Sequence, residues 1–204
     1  MARPAHADSA ATRRKVLASA LAMFAEHGVD GVSIREIAAA AGVSLATVHH
    51  YFGSKEELYA ACVDSMYGEL VAMRPQLAAA LGKGGQPAEL IDRIVRAAFR
   101  FAREHQIEMR LLMRQVMTAG ELDDARRQVG QVPFLTEIPP VIAAVTGRPA
   151  DSLRLPLQTM SFLISRYAVS TGRELELFTK KKGTPAIAAA EDHLVQVAAA
   201  LFLQ

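Results

Sequence analysis

The sequence predicts an all-α protein in which three helices at the N-terminus precede a larger helical bundle. Apolar residues recur at steps of three and four through almost the whole chain, and strict apolar–polar alternation is hard to find. The composition agrees with this fold class, since alanine and leucine are abundant, tryptophan is absent and runs of β-branched residues are few.

The charges nearly cancel, with 23 Lys and Arg residues against 21 Asp and Glu residues. No general basic field therefore indicates nucleic acid, although a local basic patch is compatible with a neutral total. The single cysteine, Cys62, excludes an internal disulfide and fits a reducing compartment. The polar N-terminus lacks a signal-peptide core, and no window holds the roughly 18 apolar residues of a membrane span. We expect a cytoplasmic protein without membrane association and without a cofactor.

The first two helices follow from an apolar stripe and a capping box. A helix over 9–26 carries apolar residues at steps of three and four and ends at the His-Gly pair that follows. Ser33 and Glu36 have the spacing of a capping box, so a second helix begins after Ser33. Gly42 ends this helix with a sharp change of direction.

The next two helices have similar signals. Ser44 caps a third helix over 45–52, which ends at Gly53. A second capping box, Ser54-x-x-Glu57, opens a long fourth helix that extends to about residue 81, with Pro75 kinking or dividing it.

The rest of the chain is predicted as helices between short breaks. The breaks are the loop Gly82 to Pro87, the pair Pro139-Pro140 and the loop "TKKKGTP" over 179–185. Pro156 lies in the first turns of one later helix or marks its delayed start. The predicted helical segments cover 88–105, 107–119, 121–132, 151–171 and 187–203.

The second and third helices have the pattern of a helix-turn-helix. Ala38 is small where the third helix crosses the second, Gly42 makes the turn, and Val43 and Val48 fill the seam. Small residues at the start of the third helix allow its backbone to enter a DNA major groove, where hydroxyl and imidazole groups hydrogen-bond base edges or phosphates. The outward side of this helix carries Leu45, Ala46, Thr47, His49, His50 and Tyr51, with Ser44 at its cap and Lys55 placed for a phosphate.

The adjacent histidines admit four interpretations. Neighbouring residues on a helix point about 100° apart, so His49 and His50 are poorly placed to share one metal ion. No acidic residue lies within one turn to orient either imidazole as a general base. A packing role for one of them remains open, and contact with DNA is the interpretation that uses both.

The stretch "SIREIAAAAGVSLATVHHYFGSKEELYAA", over 33–61, resembles the DNA-binding domain of the TetR family of bacterial transcriptional regulators. The resemblance implies a DNA-binding domain over 1–54 and a ligand-binding and dimerisation domain over 55–204. It also implies a homodimer whose small-molecule ligand usually weakens binding to double-stranded operator DNA. His49 departs from the family, which most often has tyrosine there. By this resemblance, base and phosphate contacts fall to Thr47, His49, His50 and Tyr51, with Ser33, Arg35 and Lys55 on the DNA backbone.

Two basic runs have alternative explanations. The run "TRRK", Thr12 to Lys15, either reaches phosphates that flank an operator or is a solvated cluster on an amphipathic helix. The run Lys180 to Lys182 is interpreted as a solvated loop.

Large, deformable side chains in the second part of the chain mark either an ordinary core or the wall of a ligand pocket. Met109, Met113 and Met117 step by four along one predicted helix, and flexible thioethers adapt to irregular apolar or aromatic ligands. The candidate ligand-binding residues are Phe99, Met109, Met113, Met117, Phe162 and Arg166.

The segments 151–171 and 187–203 are candidates for a dimer face. Small residues in the last helix permit close packing, and Leu194, Val197, Leu201 and Phe202 supply apolar area. The alternative is that this helix covers the core of its own monomer.

The resemblance implies a transcriptional regulator, and the habit of the family favours a repressor released from its operator by a small apolar or aromatic ligand. An activator, or a ligand-independent DNA-binding protein of the same fold, is the alternative. An enzyme is not indicated, because the sequence has no Glu-x-x-His pair, phosphate loop or nucleophile elbow, and Cys62 lacks a basic neighbour in sequence. A DNA-packaging protein fits poorly with the near-neutral charge.

Overall fold

The computed structural model describes residues 5–72, 85–120, 124 and 127–203, and these contain helices and no strand. The all-α prediction is confirmed. A π-helical turn, Arg127–Gln131, leads directly into α7, and a 3-10 turn, Ala150–Leu153, precedes α8. The α-helices of the described residues are α1 Ala5–His27, α2 Ile34–Ala41, α3 Leu45–Phe52, α4 Lys55–Ala72, α5 Pro87–Glu104, α6 Gln106–Ala119, α7 Val132–Thr146, α8 Arg154–Ala168, α9 Gly172–Thr179 and α10 Thr184–Phe202.

The start of α2 is fixed by a reciprocal capping box. The Ser33 N–H donates to Glu36 Oε2 at 2.8 Å, and the Glu36 N–H donates to Ser33 Oγ at 3.3 Å. Two N–H groups that have no helical partner at an N-terminus are thereby satisfied. Ile37 and Ala38 are the buried residues of this helix.

The turn between α2 and α3 depends on a left-handed residue. Gly42 has φ 66° and ψ 37°, and Val43 donates its N–H to the Ala38 carbonyl at 3.0 Å. Glycine adopts this conformation without the steric cost that a Cβ brings. Val48 and Phe52 are buried on the inner side of α3, so the predicted helix-turn-helix is present with its seam closed.

The described residues divide into two compact units. The first comprises Met1–Gly68 and Arg110–Glu121, and the second comprises Glu69–Met109 and Leu122–Gln204. In the first unit, a core forms around the fully buried Phe24, Ile37 and Leu58. Residues 110–119, the larger part of α6, therefore belong to the same unit as the N-terminal helices. The domain boundary after residue 54 stays a prediction.

The second unit has α5, α8 and α10 packed together. One face of α5 is buried, and the buried side of α10 includes Leu194 and Ala198. The buried carboxylate of Glu191 on α10 accepts a hydrogen bond from Arg100 Nε at 2.7 Å and lies 3.3 Å from Arg96 Nη1. These ion pairs satisfy a charge whose burial is costly when unpaired.

The predicted break at Pro139-Pro140 is wrong, because both prolines lie inside α7. Proline lacks the N–H that bonds to the carbonyl four residues earlier, so the carbonyls of Leu135 and Thr136 lose their helical donors. Pro139 is nevertheless buried, and its ring adds apolar contact that favours the continuous helix.

Neither α7 nor the short helix α9 was predicted as a helix. In α9, Thr171 accepts a hydrogen bond from the Glu174 N–H at 3.2 Å, and Lys180 ends the helix at φ 56°. The sequence signal is Thr171-x-x-Glu174, which has the spacing of the two recognised capping boxes.

Several predicted bounds shift by a few residues. The first helix begins at residue 5 rather than 9, the last begins at 184 rather than 187, and Pro156 lies in the first turn of α8. Four parts of the prediction lie outside the described residues: the end of the fourth helix, Pro75, residues 82–84 of the Gly82 to Pro87 loop, and most of the start of the 121–132 segment.

Candidate nucleic-acid interface

The N-terminal turn of α3 is fixed by Ser44 and Thr47. The Thr47 N–H donates to Ser44 Oγ at 3.1 Å, and the two hydroxyl oxygens lie 2.8 Å apart. Side-chain capping of this kind positions the helix start, and the hydroxyl groups retain acceptor capacity. Ser44 is exposed and Thr47 half-buried, so both remain accessible at this end of the helix.

The outward side of α3 combines small and hydrogen-bonding residues. Ala46, His49 and His50 are exposed, whereas Leu45 and Tyr51 are half-buried. The rings of His50 and Tyr51 meet edge to face with centroids 5.2 Å apart. The structure thus exposes Ala46, His49 and His50 fully and the other predicted residues in part. Their role in DNA binding stays a prediction.

His49 is held by the end of its own helix. Its Nδ1 atom lies 2.6 Å from the carbonyl oxygen of Gly53, the residue that ends α3. A carbonyl oxygen only accepts hydrogen bonds, so Nδ1 carries the proton in this contact. The imidazole is therefore oriented although it is exposed.

Two contacts hold the start of α1 against α3. Tyr51 donates its phenolic hydrogen to Ser9 Oγ at 3.0 Å, and the guanidinium carbon of Arg13 lies 4.9 Å from the Phe52 ring centroid. Cation–π contacts of this geometry are favourable. Sequence reasoning missed both contacts. Arg13 belongs to the "TRRK" run, and its helical spacing from Ser9 was the available signal.

Lys55 has a structural role, while its contact with a phosphate stays a prediction. Its ammonium group donates to the carbonyl oxygens of Val29 at 3.0 Å and Val32 at 3.3 Å, in the loop between α1 and α2. A lysine ammonium has three N–H donors, so one remains for a phosphate.

Ser33 and Arg35 lie at the start of α2, and both are exposed. The Ser33 hydroxyl donates to Glu36 Oε2 at 2.6 Å, and this bond is the main cause of the lowered pKa of Glu36. The hydroxyl of Ser33 is thus engaged in capping, whereas Arg35 is exposed to solvent.

The described residues contain no group of three potential ligands that could hold a metal ion. Burial raises the pKa of the Cys62 thiol to about 12, and its Sγ lies 3.8 Å from the Leu17 carbonyl oxygen. A thiol in this environment is a poor nucleophile, because the thiolate is the reactive form.

The candidate ligand-binding residues differ widely in exposure. Phe99 and Met109 are buried in the second unit, whose Phe162 is 46% exposed. Met113 is half-buried and Met117 is 71% exposed, both in the first unit. Arg166 bonds to Ser170 Oγ at 2.7 Å and to the Glu174 carboxylate. The ligand-binding role of this set stays a prediction.

The residues proposed for a dimer face divide between core and surface. Leu194 and Phe202 are buried in their own unit, as the alternative interpretation of this helix expects. Val197 and Leu201 are half-buried. On α8, Leu155 is 80% exposed, which leaves apolar area there for a partner.

Through the residues that the structure describes, no helix combines the length and apolarity needed to cross a bilayer. The capped α2 and α3, the left-handed turn between them and the exposed polar side of α3 define a helix-turn-helix protein.

Known proteins support this class and specify the family. Residues 16–62 match the family described as "Bacterial regulatory proteins, tetR family". The chain is 30% identical over 173 residues to the HTH-type transcriptional dual regulator CecR of Shigella flexneri, a match that covers 79% of this chain and 77% of CecR. The chain therefore belongs to the TetR family, whose members are transcriptional regulators.

Two further similarities have narrower meaning. The HTH-type transcriptional regulator BetI of Rhizobium meliloti (strain 1021) is 42% identical over 89 residues, which are 43% of this chain and 42% of that relative. The chain thus matches about two fifths of that relative's length. The crystal structure of AibR in complex with isovaleryl coenzyme A and operator DNA has a TM-score of 0.67 at 16% identity, covering 94% of this chain and 98% of that chain. The similarity to AibR shows that the two proteins share a fold.

Proposed function

We propose that this protein is a transcriptional repressor that binds double-stranded operator DNA as a homodimer and is released by a small apolar or aromatic ligand. The observation that carries the proposal is the outward side of α3. Exposed Ala46, His49 and His50 follow a capped N-terminal turn, as a helix that enters a major groove requires.

The contacts are assigned by position on the helix-turn-helix. Thr47, His49 and His50 hydrogen-bond base edges or phosphates, and Leu45 and Ala46 provide apolar contact for a thymine methyl group. The third N–H of the Lys55 ammonium and the exposed guanidinium of Arg35 bind phosphates. Ser33, Ser44 and Tyr51 complete the proposed DNA-binding set.

Dimerisation follows from the geometry of an operator. Successive major grooves on one side of DNA lie about 34 Å apart, so two α3 helices must be held at that separation. Leu155 and Phe162 are one heptad apart on α8 and are both exposed, which supports α8 as part of the dimer face.

The effector class is inferred from the apolar side chains of the second unit. Phe99 and Met109 are buried there, and methionine adapts to ligands of irregular shape. AibR, which shares the fold, is described in complex with isovaleryl coenzyme A and operator DNA. That complex supports the idea that this fold accommodates a ligand as well as DNA.

Release of DNA requires only a modest coupling between ligand and operator. A ligand that tilts α4 changes the separation of the two α3 helices, and a dimer with the wrong separation loses affinity. Coupling free energies of about 1–3 kcal/mol change affinity roughly 5- to 150-fold. An activating role is the second candidate, because the relative CecR is named a dual regulator.

The test is fluorescence anisotropy on the DNA upstream of the protein's own gene, at physiological salt, against scrambled competitor DNA. We expect competitor-resistant nanomolar binding with two protomers per site. His50→Ala should weaken binding about tenfold or more without changing the unfolding midpoint. His27→Ala, which removes an exposed histidine at the end of α1, is the matched control. Wild-type affinity in His50→Ala would contradict the proposed interface.

A further inference from the structure

The hydrogen bond between His49 and Gly53 determines which nitrogen of His49 is available to a partner. The Gly53 carbonyl oxygen lies 2.6 Å from Nδ1 and can only accept, so the Nδ1 hydrogen is committed to it. In a neutral imidazole one nitrogen carries the hydrogen and the other has a lone pair. Nε2 is therefore a hydrogen-bond acceptor.

Nε2 of His49 is open to an external partner. His49 is exposed, and Nε2 has no hydrogen-bond partner among the residues for which the structure gives a description. His49 follows Leu45 by four residues and Ala46 by three, so these three residues share one face of α3. The acceptor thus lies beside the small side chain that permits a close approach to DNA.

An acceptor discriminates among the groups that DNA presents. Phosphate oxygens are acceptors themselves and repel a bare Nε2 lone pair. In the major groove the hydrogen-bond donors are the exocyclic amines, N6 of adenine and N4 of cytosine. A neutral His49 with this tautomer therefore recognises an amine rather than the DNA backbone.

We propose that His49 is a specificity-determining residue whose Nε2 accepts a hydrogen bond from the exocyclic amine of one adenine or cytosine in each operator half-site. This inference rests on the proposed function, because it requires α3 to lie in the major groove. It assigns a base contact to His49. The Gly53 carbonyl oxygen at the end of α3 selects the tautomer, because it accepts the Nδ1 hydrogen.

The first part of the test is independent of DNA. The ¹⁵N spectrum of histidine side chains is recorded on the full chain at pH 8, where free imidazoles are neutral, and His49 is assigned from the signals lost in His49→Asn. We expect a protonated Nδ1 and an unprotonated Nε2. The opposite tautomer would overturn the inference without affecting the proposed function.

The second part is selection of binding sites from random duplex DNA at pH 8. We expect the wild type to enrich adenine or cytosine at one position of each half-site. His49→Asn keeps a δ-position donor for Gly53 and lacks the ε nitrogen, so it should lose the preference at that position alone, with an affinity about 5- to 150-fold lower. His49→Ala should show the same loss of preference.

A contrary result is that His49→Asn binds all sequences more weakly, keeps the base preferences, and has a slope of log affinity against log salt reduced by about one per contact. That result would assign His49 to a phosphate and overturn the inference. Enrichment of no sequence by the wild type would refute the proposed regulator and the inference together.

The third part removes the amine from the DNA. In the selected site, the adenine is replaced by purine, or the cytosine by a pyrimidinone that lacks N4. We expect the wild type to lose affinity and His49→Asn to bind both DNAs equally. An equal loss in both proteins would show that the amine acts through another residue or through DNA shape, which overturns the inference.

Discussion

Arg114 of α6 donates a hydrogen bond from Nη2 to the backbone carbonyl oxygen of Glu26, 2.9 Å away in the last turn of α1. Both residues belong to the first unit. A carbonyl in the last turn of a helix has no helical donor, and a guanidinium there is favoured by the helix dipole as well as by the hydrogen bond. The Arg114 contact therefore joins α6 to the helices that precede α3.

The replacement Arg114→Met should lower the free energy of unfolding by about 1 kcal/mol, because it removes the donor and keeps much of the apolar stem. The measurement is urea unfolding followed by circular dichroism. Arg110→Met, at another exposed arginine of the same helix, is the control and should change stability by less than about 0.5 kcal/mol. Equal effects of the two replacements would show that the Glu26 contact contributes nothing.

The glycine that follows α1 is sensitive for two separable reasons. Gly28 has φ 77°, and a Cβ added there would lie 2.8 Å from Arg114 Nη1. Gly28→Ala should lower the free energy of unfolding by about 1–2 kcal/mol through backbone strain, plus the cost of displacing the guanidinium. In the Arg114→Met background the same replacement should cost less, because only the strain remains. An unchanged cost in that background would exclude the steric contribution.

The hydrogen bond between Tyr51 and Ser9 predicts two equivalent variants. Tyr51→Phe and Ser9→Ala each remove one partner of the bond and should each lower the free energy of unfolding by about 1 kcal/mol. The double variant should be less destabilised than the sum of the two, because the bond is lost only once. Thermal unfolding of the three variants tests this coupling, and strict additivity would contradict it.

Lys55 should affect both folding and DNA binding. Lys55→Met removes the donors to the carbonyls of Val29 and Val32, and we expect a loss of about 1–2 kcal/mol in unfolding free energy. If the third N–H binds a phosphate, the slope of log affinity against log salt falls by about one per protomer. Lys182→Met, at an exposed lysine of the loop before α10, controls for a general change in charge. A stability loss with an unchanged salt slope would leave Lys55 with the structural role alone.

Glu174 should contribute stability that depends on pH. The hydrogen bond from Arg166 is the main cause of a lowered pKa for Glu174, whose ordinary value is 4.5. The unfolded chain therefore binds the proton more readily, so the contribution is present above pH 4.5 and is lost as pH falls through the lower folded-state value.

Glu174→Gln should lower the unfolding free energy by about 0.5 kcal/mol at pH 7, a small value because the pair is partly solvated. The difference from wild type should shrink towards pH 3. Glu104→Gln, at an exposed carboxylate of α5, is the control for the loss of one negative charge. A difference that stays constant from pH 7 to pH 3 would assign the effect to something other than the ionised pair.

Local signals in the sequence predicted the helix-turn-helix more closely than any other part of the fold. Ser33, Gly42 and Ser44 act within a few residues of their own positions, so the bounds of α2 and α3 follow from capping and turn chemistry alone. α9 carried a similar signal at Thr171, and it was overlooked.

Contacts between residues far apart in the sequence determine other features of the fold and the site, and local signals do not predict these features. The pair Pro139-Pro140 lies inside α7 although each proline lacks an N–H group, and Pro139 is buried there. The bond from Lys55 to the loop carbonyls and the bond from Tyr51 to Ser9 join residues more than 20 positions apart. Periodicity and motifs carry no information about such distant pairs. The sequence therefore predicts the site residues without the contacts that hold them.

The assignment of Arg110–Glu121 to the same unit as Met1–Gly68 has a consequence for exchange of parts between relatives. The family match ends at residue 62, so recombination guided by sequence similarity would transplant one continuous piece. Such a chimera would bring a foreign α1 against the native Arg114 side of α6. A graft that also carries residues 110–121 preserves the pairing of Arg114 with Glu26, because the unit that contains α3 is encoded by two separate stretches of the gene.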